Sequence, residues 1–502
     1  MKNSLGRNVI EGYKPYVSSD EYKNHPRVLA NQKSINNKIE FLNSISEAFE
    51  KLNIKDNMTL SFHHHLRNGD FVMNKVSEEV LKRNIKNLHY APSSIFPNNA
   101  IISTLIENEN IVEIDTNYLN GPVAKTINQG KLKGLLIMNS HGGRPRKIES
   151  GELSIDVAFI ACPTVDKAGN GYGAIGSAAC GSLGYSLTEL KYAKKVVLVT
   201  DNLVDCLDKY EIDSKYVDYV VVIDKIGDAN GIVSGTTKIT KDPVGLKIAS
   251  MTAKLLNELG LIENGVSMQT GAGGTSLAVA SYVRELMIKK NVKGSFASGG
   301  ITSYFVNMAS EGLLEKLMDV QCFDLDAVNS YANNPFHFGM SDSKYANPYD
   351  EPVVNGLDFV ILGATEIDVN FNVNVTTDSY GNIMGGSGGH SDTAHGAKVS
   401  IITTNLIKSR LPIIKKEVTT ITTPGQDIDV LVTERGIAIN PLRKDLLAKL
   451  TNSKLPITTI DKLYELAHSI TGVPATLAKS DEVVGLVQYR DGTIIDCLYK
   501  VG

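Results

Sequence analysis

The stretch SMQTGAGGTSLAVA, residues 267–280, decides the fold. A short apolar run over 266–270 reads as a strand. It passes directly into Gly271, Gly273 and Gly274, and residues 275–288 then carry apolar positions at helical spacing. A strand that turns through glycine into a helix is one half of a βαβ unit. It is also a geometry in which backbone N–H groups and a helix N-terminus meet an anion or a developing oxyanion. The same form follows in GSFASGGITSY, 294–304. There a strand is expected over 294–297, Gly299 and Gly300 make the turn, and a helix is expected over 303–318. Further strands are expected at 358–362, 399–404 and 428–433.

Upstream the alternation is the same. Strands are expected at 58–62, 135–138, 157–161, 196–200 and 219–223, and helices at 76–85 and 186–193. Strands alternating with helices predict a largely parallel sheet. The pattern weakens over GIVSGTTKITKDPVG, 231–245, and a helix over 244–260 then closes on Gly260, a suitable C-terminal cap. The expected organisation is a polar, extended N-terminal arm over 1–40 and two α/β domains, 41–240 and 241–502.

Composition excludes several classes. The chain has 502 residues, with 51 Lys+Arg against 55 Asp+Glu, so the net charge is −4 and a general nucleic-acid binder is not expected. Cys162, Cys180, Cys206, Cys322 and Cys497 are odd in number and none forms a C-x-x-C pair, which reads as reduced intracellular thiols without a zinc cage. The N-terminus has no apolar signal segment and no run approaches the ~20 residues of a membrane span, so a cytoplasmic protein is expected.

Four further blocks could carry chemistry. SFHHHLRNGD, 61–70, places His63, His64, His65 and Arg67 at the end of a strand, where ligands of open α/β sheets sit. Successive strand residues alternate faces, so the three His cannot share one metal. NSHGGRPRKIESGE, 139–152, adds His141, Arg144 and Arg146 beside a Gly-Gly pair, a set suited to carboxylates. The block 161–185 contains a lone G-x-G-x-x-G at 171–176, but no strand runs into it and a structural hairpin is the better reading. In 363–397, residues 366–374 alternate strictly, so a strand is expected with Glu366, Asp368, Asn370, Asn372 and Asn374 on one face. Gly385, Gly386, Ser387, Gly388, Gly389 and His390 follow. That glycine density is costly to order and suits a backbone that contacts a ligand. No metal-ligand set is read anywhere.

Taken in order, SFHHHLRNGD, SHGGRPRKIESGE, DVAFIACPTVDKAGNGYG, QTGAGGTSLAVA, FASGGITSYFV and GGSGGHSDTAHGAK resemble the citrate lyase alpha chain family, from about residue 40 to the C-terminus. The resemblance implies two similar open α/β CoA-transferase domains facing each other across a cleft. It implies exchange of the acetyl group on a carrier thiol for citrate, releasing acetate. The implied partners are a beta chain that cleaves the citryl thioester and a gamma chain, the acyl carrier, in an oligomeric complex. The resemblance implies no cofactor tightly bound on this chain. The thioester comes from acetyl-CoA or from the carrier's dephospho-CoA-derived prosthetic group. Gly273, Gly274, Gly388, Gly389 and Ser298 are then the expected catalytic contacts. His63, His64, His65, Arg67, His141, Arg144 and Arg146 are the expected citrate contacts. Gly271, Gly299, Gly300, Gly385, Gly386, Ser387 and His390 are expected to meet the CoA or carrier arm. Classical CoA-transferases carry a catalytic Glu after the second Gly-rich turn. Here 296–301 has no carboxylate, which implies direct transfer in a ternary complex, with Glu366 as an alternative nucleophile. An acyl-CoA hydrolase, a transferase for another small acid and an inactive carrier-binding scaffold remain as alternatives.

Overall fold

Two mainly parallel sheets carry the chain. The computed structural model describes residues 1–35, 38–233, 238–271, 273–472 and 480–501. The first sheet has ten strands in the order Glu40–Leu42, Tyr219–Val222, Lys195–Thr200, Val157–Ala161, Thr59–Phe62, Leu88–Pro92, Ile111–Thr116, Leu136–Met138, Val483–Gln488 and Ile494–Tyr499. The second has nine, in the order His337–Gly339, Leu314–Cys322, Gly294–Ile301, Met268–Thr270, Phe359–Leu362, Val399–Thr403, Val430–Thr433, Gly436–Ile439 and Ile457–Thr458. Each sheet holds one antiparallel pair, Val483–Gln488 with Ile494–Tyr499 at the edge of the first and Val430–Thr433 with Gly436–Ile439 in the second, where Ile457–Thr458 continues in parallel. The central strands are buried on both faces, as Val157–Ala161 and Phe359–Leu362 show, which is why they read as continuous apolar runs.

Local chemistry explains the helices. Pro243–Glu258 starts where the Asp242 side chain accepts the Gly245 N–H, and it stops before Gly260 at φ +74°. The helix expected near 76–85 runs Val72–Arg83, and the one near 186–193 runs Leu187–Tyr192. The hairpin reading of 161–185 is also seen, because Thr164–Asp166 pairs antiparallel with Gly171–Tyr172. Residues 234–237 of the weak 231–245 stretch lie outside the described residues.

Four expectations are corrected. The turn expected at Gly299 and Gly300 is a bulge inside the strand Gly294–Ile301. The helix from Ser303 ends at Ser310, and Leu314–Cys322 is a strand. Leu314, Leu317 and Met318 mimic helical spacing, but Gly312 at φ +74° ends the helix first. The strand expected over 366–374 breaks after Asp368. The Asp368 Oδ1 accepts the Asn370 and Asn372 N–H groups, which turns the chain, and Glu366–Asp368 folds back on Val373–Asn374. Alternation predicted one face; an aspartate side chain competing for the backbone made a hairpin. Finally, residues 483–499 join the first sheet beside Leu136–Met138, not the second half in which a division at 240 puts them.

The N-terminal arm packs on that same hairpin. Asn3 Nδ2 donates to the carbonyls of Ile494 and Ile495 (3.1 and 2.8 Å), and Val9 and Tyr16 are buried. Among the described residues no helix is long and apolar enough to cross a membrane.

Candidate active site

The C-terminal strand ends of the two sheets face each other, and the loops that leave them interlock. Strand Thr59–Phe62 delivers His63–His65, Leu136–Met138 delivers His141, and the Gly-rich loop 385–389 lies against Asn117 and His141. His141 N donates to Gly388 O (2.7 Å) and Gly388 N donates to Asn117 O (3.2 Å). Asp392 anchors the loop's far end by accepting from Ser140 Oγ (3.0 Å) and Gly142 N (2.9 Å), with Arg490 Nε 3.3 Å away. From the second sheet, Gln321 Nε2 donates to the His64 carbonyl (2.9 Å).

An aromatic cluster fills the junction. The His64 and His141 rings are 5.8 Å apart, and Tyr185 sits 4.5 and 4.6 Å from them. Tyr345 stands 6.5 Å from His141, and Gln269 Nε2 reaches its hydroxyl (2.8 Å). Gly389 leaves no space for a side chain here, since a Cβ would lie 2.6 Å from the Tyr345 hydroxyl.

Every imidazole in this cluster is held neutral. Burial pushes His64 and His65 well down, and burial followed by the Arg144 charge brings His141 to about 3. The His141 tautomer follows from its neighbour. Asn117 Nδ2 donates to the Ser140 carbonyl (2.8 Å), which fixes the amide orientation, and also to His141 Nδ1 (3.1 Å). Its proton therefore sits on Nε2, the nitrogen beside Gly388.

The cations divide sharply. Arg144, expected to meet citrate, is fully buried and paired with Glu189, which also holds His63 Nε2 at 2.5 Å. Arg146 forms a two-pronged pair with Glu152 (2.7 and 2.8 Å). Both charges are answered inside the fold, so neither is a free anion receptor, and His63 belongs to the same buried triad. Arg67 differs. No carboxylate pairs with it among the described residues, its Nη1 is buried without a hydrogen-bond partner, and its guanidinium stacks over Phe96 and Phe323 (5.5 and 4.9 Å). Burial lowers its pKa. Its backbone sits at φ +51°, a conformation that costs an L residue about 1–3 kcal/mol and that concentrates at functional sites.

The remaining expected residues separate by role. Gly388 donates its N–H to Asn117, so that amide is not open to a ligand. Gly386 makes room for the Asn117 carbonyl, and Gly385 O accepts from Leu119 N (3.2 Å). Ser387 Oγ bonds Ser391 Oγ (2.7 Å). Both nitrogens of His390 are occupied, by Thr423 Oγ1 (2.8 Å) and Gly363 O (3.0 Å), so it pins the loop and forms no dyad with Asp392. Gly299 and Gly300 accommodate Gln269 and the Phe323 ring, and Gly274 packs on 238–240. Gly273 lies in open space at the N-terminus of helix Gly274–Lys290, and Gly271 donates to Ile361 O. Ser298 Oγ is buried without a hydrogen-bond partner. Glu366 is engaged by Asn374, Ser379, Thr419 and Lys415, which makes it a structural carboxylate. It lines a separate cavity of about 1120 Å³ between residues 415–421 and the C-terminal strand.

Sequence reading missed Asn117, Tyr185, Gln269, Gln321, Phe323 and Tyr345. Gln269 lay in the quoted block 267–280 and Tyr185 ended the block 161–185, yet neither was read as a contact; the others lie far apart in the chain with no motif around them.

Residues 37–501 match the family model "Citrate lyase, alpha subunit (CitF)". The chain is 42% identical to the citrate lyase alpha chain of Haemophilus influenzae over 460 residues, covering 91% of this chain and 92% of that one. It is 41% identical to that of Escherichia coli, covering 91% and 90%. A Streptococcus mutans protein, assigned as the alpha subunit of citrate lyase and solved in complex with citrate, superimposes with TM-score 0.95 at 41% identity over the whole of both chains. A Pseudomonas malonate decarboxylase heterotetramer solved with malonate gives TM-score 0.63 at 15% identity, covering 86% of this chain and 82% of that one, and shares the fold alone. The chain belongs to the citrate lyase alpha subunit family, the CoA-transferase subunits of that enzyme.

Proposed function

We propose that this chain exchanges the acetyl group of a carrier thioester for citrate and releases acetate. One observation carries the reading: the unpaired Arg67 and the neutral, Nε2-protonated His141 flank one junction between the two sheets. A citrate carboxylate attacks the acetyl carbonyl and expels the thiolate, leaving a mixed anhydride. The thiolate then attacks the citryl carbonyl and expels acetate. Each attack builds charge on a carbonyl oxygen. A neutral imidazole N–H fixed in place by Asn117 meets that charge without first losing a proton, and one such donor is worth roughly 3 kcal/mol. Arg67 neutralises a carboxylate of the citrate trianion. The citrate in the S. mutans relative supports the choice of acid. Glu366 is already saturated with donors, which favours transfer without a covalent enzyme intermediate.

In the cell the thioester belongs to the prosthetic group of a gamma chain, and a beta chain consumes the product. The test uses acetyl-CoA as the thioester. Purified protein with labelled citrate yields citryl-CoA under this reading. CoA release that ignores citrate identifies a hydrolase, and no turnover leaves a binding scaffold.

A further inference from the structure

Behind the active-site wall lies a second cluster that the transfer reaction does not use. Asp319 and Cys322 close the strand Leu314–Cys322, and His337 opens the neighbouring strand His337–Gly339. The side chains of Asp319 and His337 are wholly buried, and Cys322 is as well. His337 Nε2 lies 3.1 Å from Asp319 Oδ2, Cys322 Sγ lies 2.9 Å from the same oxygen, and all three atoms fall within 4.8 Å of one another. We propose that Asp319, Cys322 and His337 form a binding site for a divalent transition metal of the zinc type.

Three arguments support it. The donor set is one thiolate, one imidazole and one carboxylate, the three ligand types that zinc prefers. Metal–ligand bonds of ~2.0–2.3 Å in a tetrahedron place ligand atoms about 3.4 Å apart, so the two observed contacts need to open by only a few tenths of an ångström. The outer contacts already have the right polarity. Asp319 Oδ1 accepts the Gln321 N–H (2.8 Å), the Cys322 sulfur accepts the Ser182 N–H, and His337 Nδ1 faces Ser330 Oγ (3.0 Å). Asp319 and His337 are thus oriented through the atom that does not point inward, as metal ligands are, and the Ser182 N–H supports the charge of a Cys322 thiolate. On binding, the Cys322 thiol proton leaves, and His337 gives up the Nε2 proton that it donates to Asp319 and holds its ring proton on Nδ1 instead, which frees the Nε2 lone pair for the metal. A dication with one thiolate and one carboxylate is neutral overall, which suits a buried position.

The placement gives the site a consequence. Gln321 reaches the His64 carbonyl and Phe323 lies under Arg67, so the residues on either side of Cys322 both shape the junction. Gly181 from the first half packs directly on Cys322. A metal here fastens the two halves together behind Arg67. No motif marks these ligands, because they are spaced D-x-x-C and then fourteen residues to the His, which matches no common zinc pattern.

The test reads metal directly and does not depend on transferase activity. The full chain is stripped with a chelator and titrated with Co²⁺. The expected result is one equivalent bound, with a near-ultraviolet thiolate-to-cobalt absorption, and displacement by Zn²⁺. Cys322→Ser abolishes that band, while Cys206→Ser, at the exposed cysteine, keeps it. If Cys322→Ser does not fold, His337→Gln is measured instead and shows weakened binding of at least tenfold. No stoichiometric Co²⁺ uptake by the native chain overturns the proposal and leaves the cluster a closed hydrogen-bond network. Persistence of the band in Cys322→Ser, or native affinity in His337→Gln, overturns it equally. Failure of citrate exchange with metal still bound would count against the proposed function and not against this site.

Discussion

The two halves present the same strand-end architecture but opposite chemistry. The first half offers side chains: His64, His141, Asn117 and Arg67, each with its proton or charge fixed by a neighbour. The second offers space and small groups: Gly271, Gly273, and the unpartnered Thr270 and Ser298 hydroxyls. Sheet topology therefore sets where the ends meet, and the residues just beyond them decide which side polarises and which side accommodates. Within the first half the same contrast separates Arg144, consumed by Glu189, from Arg67, left with an open nitrogen.

The largest effect expected from breaking that contrast is on stability. Arg144→Met leaves the buried Glu189 without its guanidinium partner and should cost about 3–5 kcal/mol in urea denaturation. Arg146→Met, whose partner Glu152 is half exposed, should cost at most ~1 kcal/mol. Equal costs would show that the two arginines do not differ as described.

Next comes catalysis. His141→Ala should lower kcat for citryl-CoA formation about 10²–10³-fold. Asn117→Ala should give a smaller loss, because it frees the tautomer without removing the ring. An unaltered kcat in both variants would remove His141 from the reaction. Arg67→Met should raise the citrate KM about tenfold or more, from the loss of a charged hydrogen bond worth roughly 1.5–3 kcal/mol. The KM for acetyl-CoA should stay near its native value. A fall in kcat alone would place Arg67 elsewhere in the cycle.

The smallest effect per step is in pH. His141 and His390 titrate near 3 and 4 in the fold against 6.5 when exposed, and His64 and His65 shift the same way. Between those values the unfolded chain binds protons that the folded chain refuses. The contribution of these four histidines to stability is therefore full above pH 6.5 and is lost as pH drops toward 4, while the buried carboxyls of Asp70 and Glu211, raised to about 7, act in the opposite sense. His390→Gln should flatten the slope by about one proton. A slope insensitive to this change would mean His390 is not held neutral.

Much of the architecture was legible in the sequence because buried parallel strands and glycine turns leave local marks. Strands such as Val157–Ala161 and the hairpin at 164–172 stood where the pattern put them. Failures came where one local force overruled a period. Gly312 stopped a helix whose apolar spacing continued, and the Asp368 side chain turned a chain that alternated perfectly. The addition of residues 483–499 to the first sheet is a long-range pairing with no local signature. The site was half legible for the same reason. The blocks holding His64, Arg67 and His141 were visible as motifs. That Arg144 is spent on Glu189, or that Asn117 sets the His141 proton, depends on contacts across tens of residues.

The most direct test of the account is the mass of the intact protein during turnover. Acetyl-CoA and citrate are mixed with the chain and the reaction is trapped with borohydride or hydroxylamine. The account predicts citryl-CoA in solution and an unmodified protein. A trapped adduct on a carboxylate, at Glu366 or any other residue, would contradict direct transfer between two bound substrates.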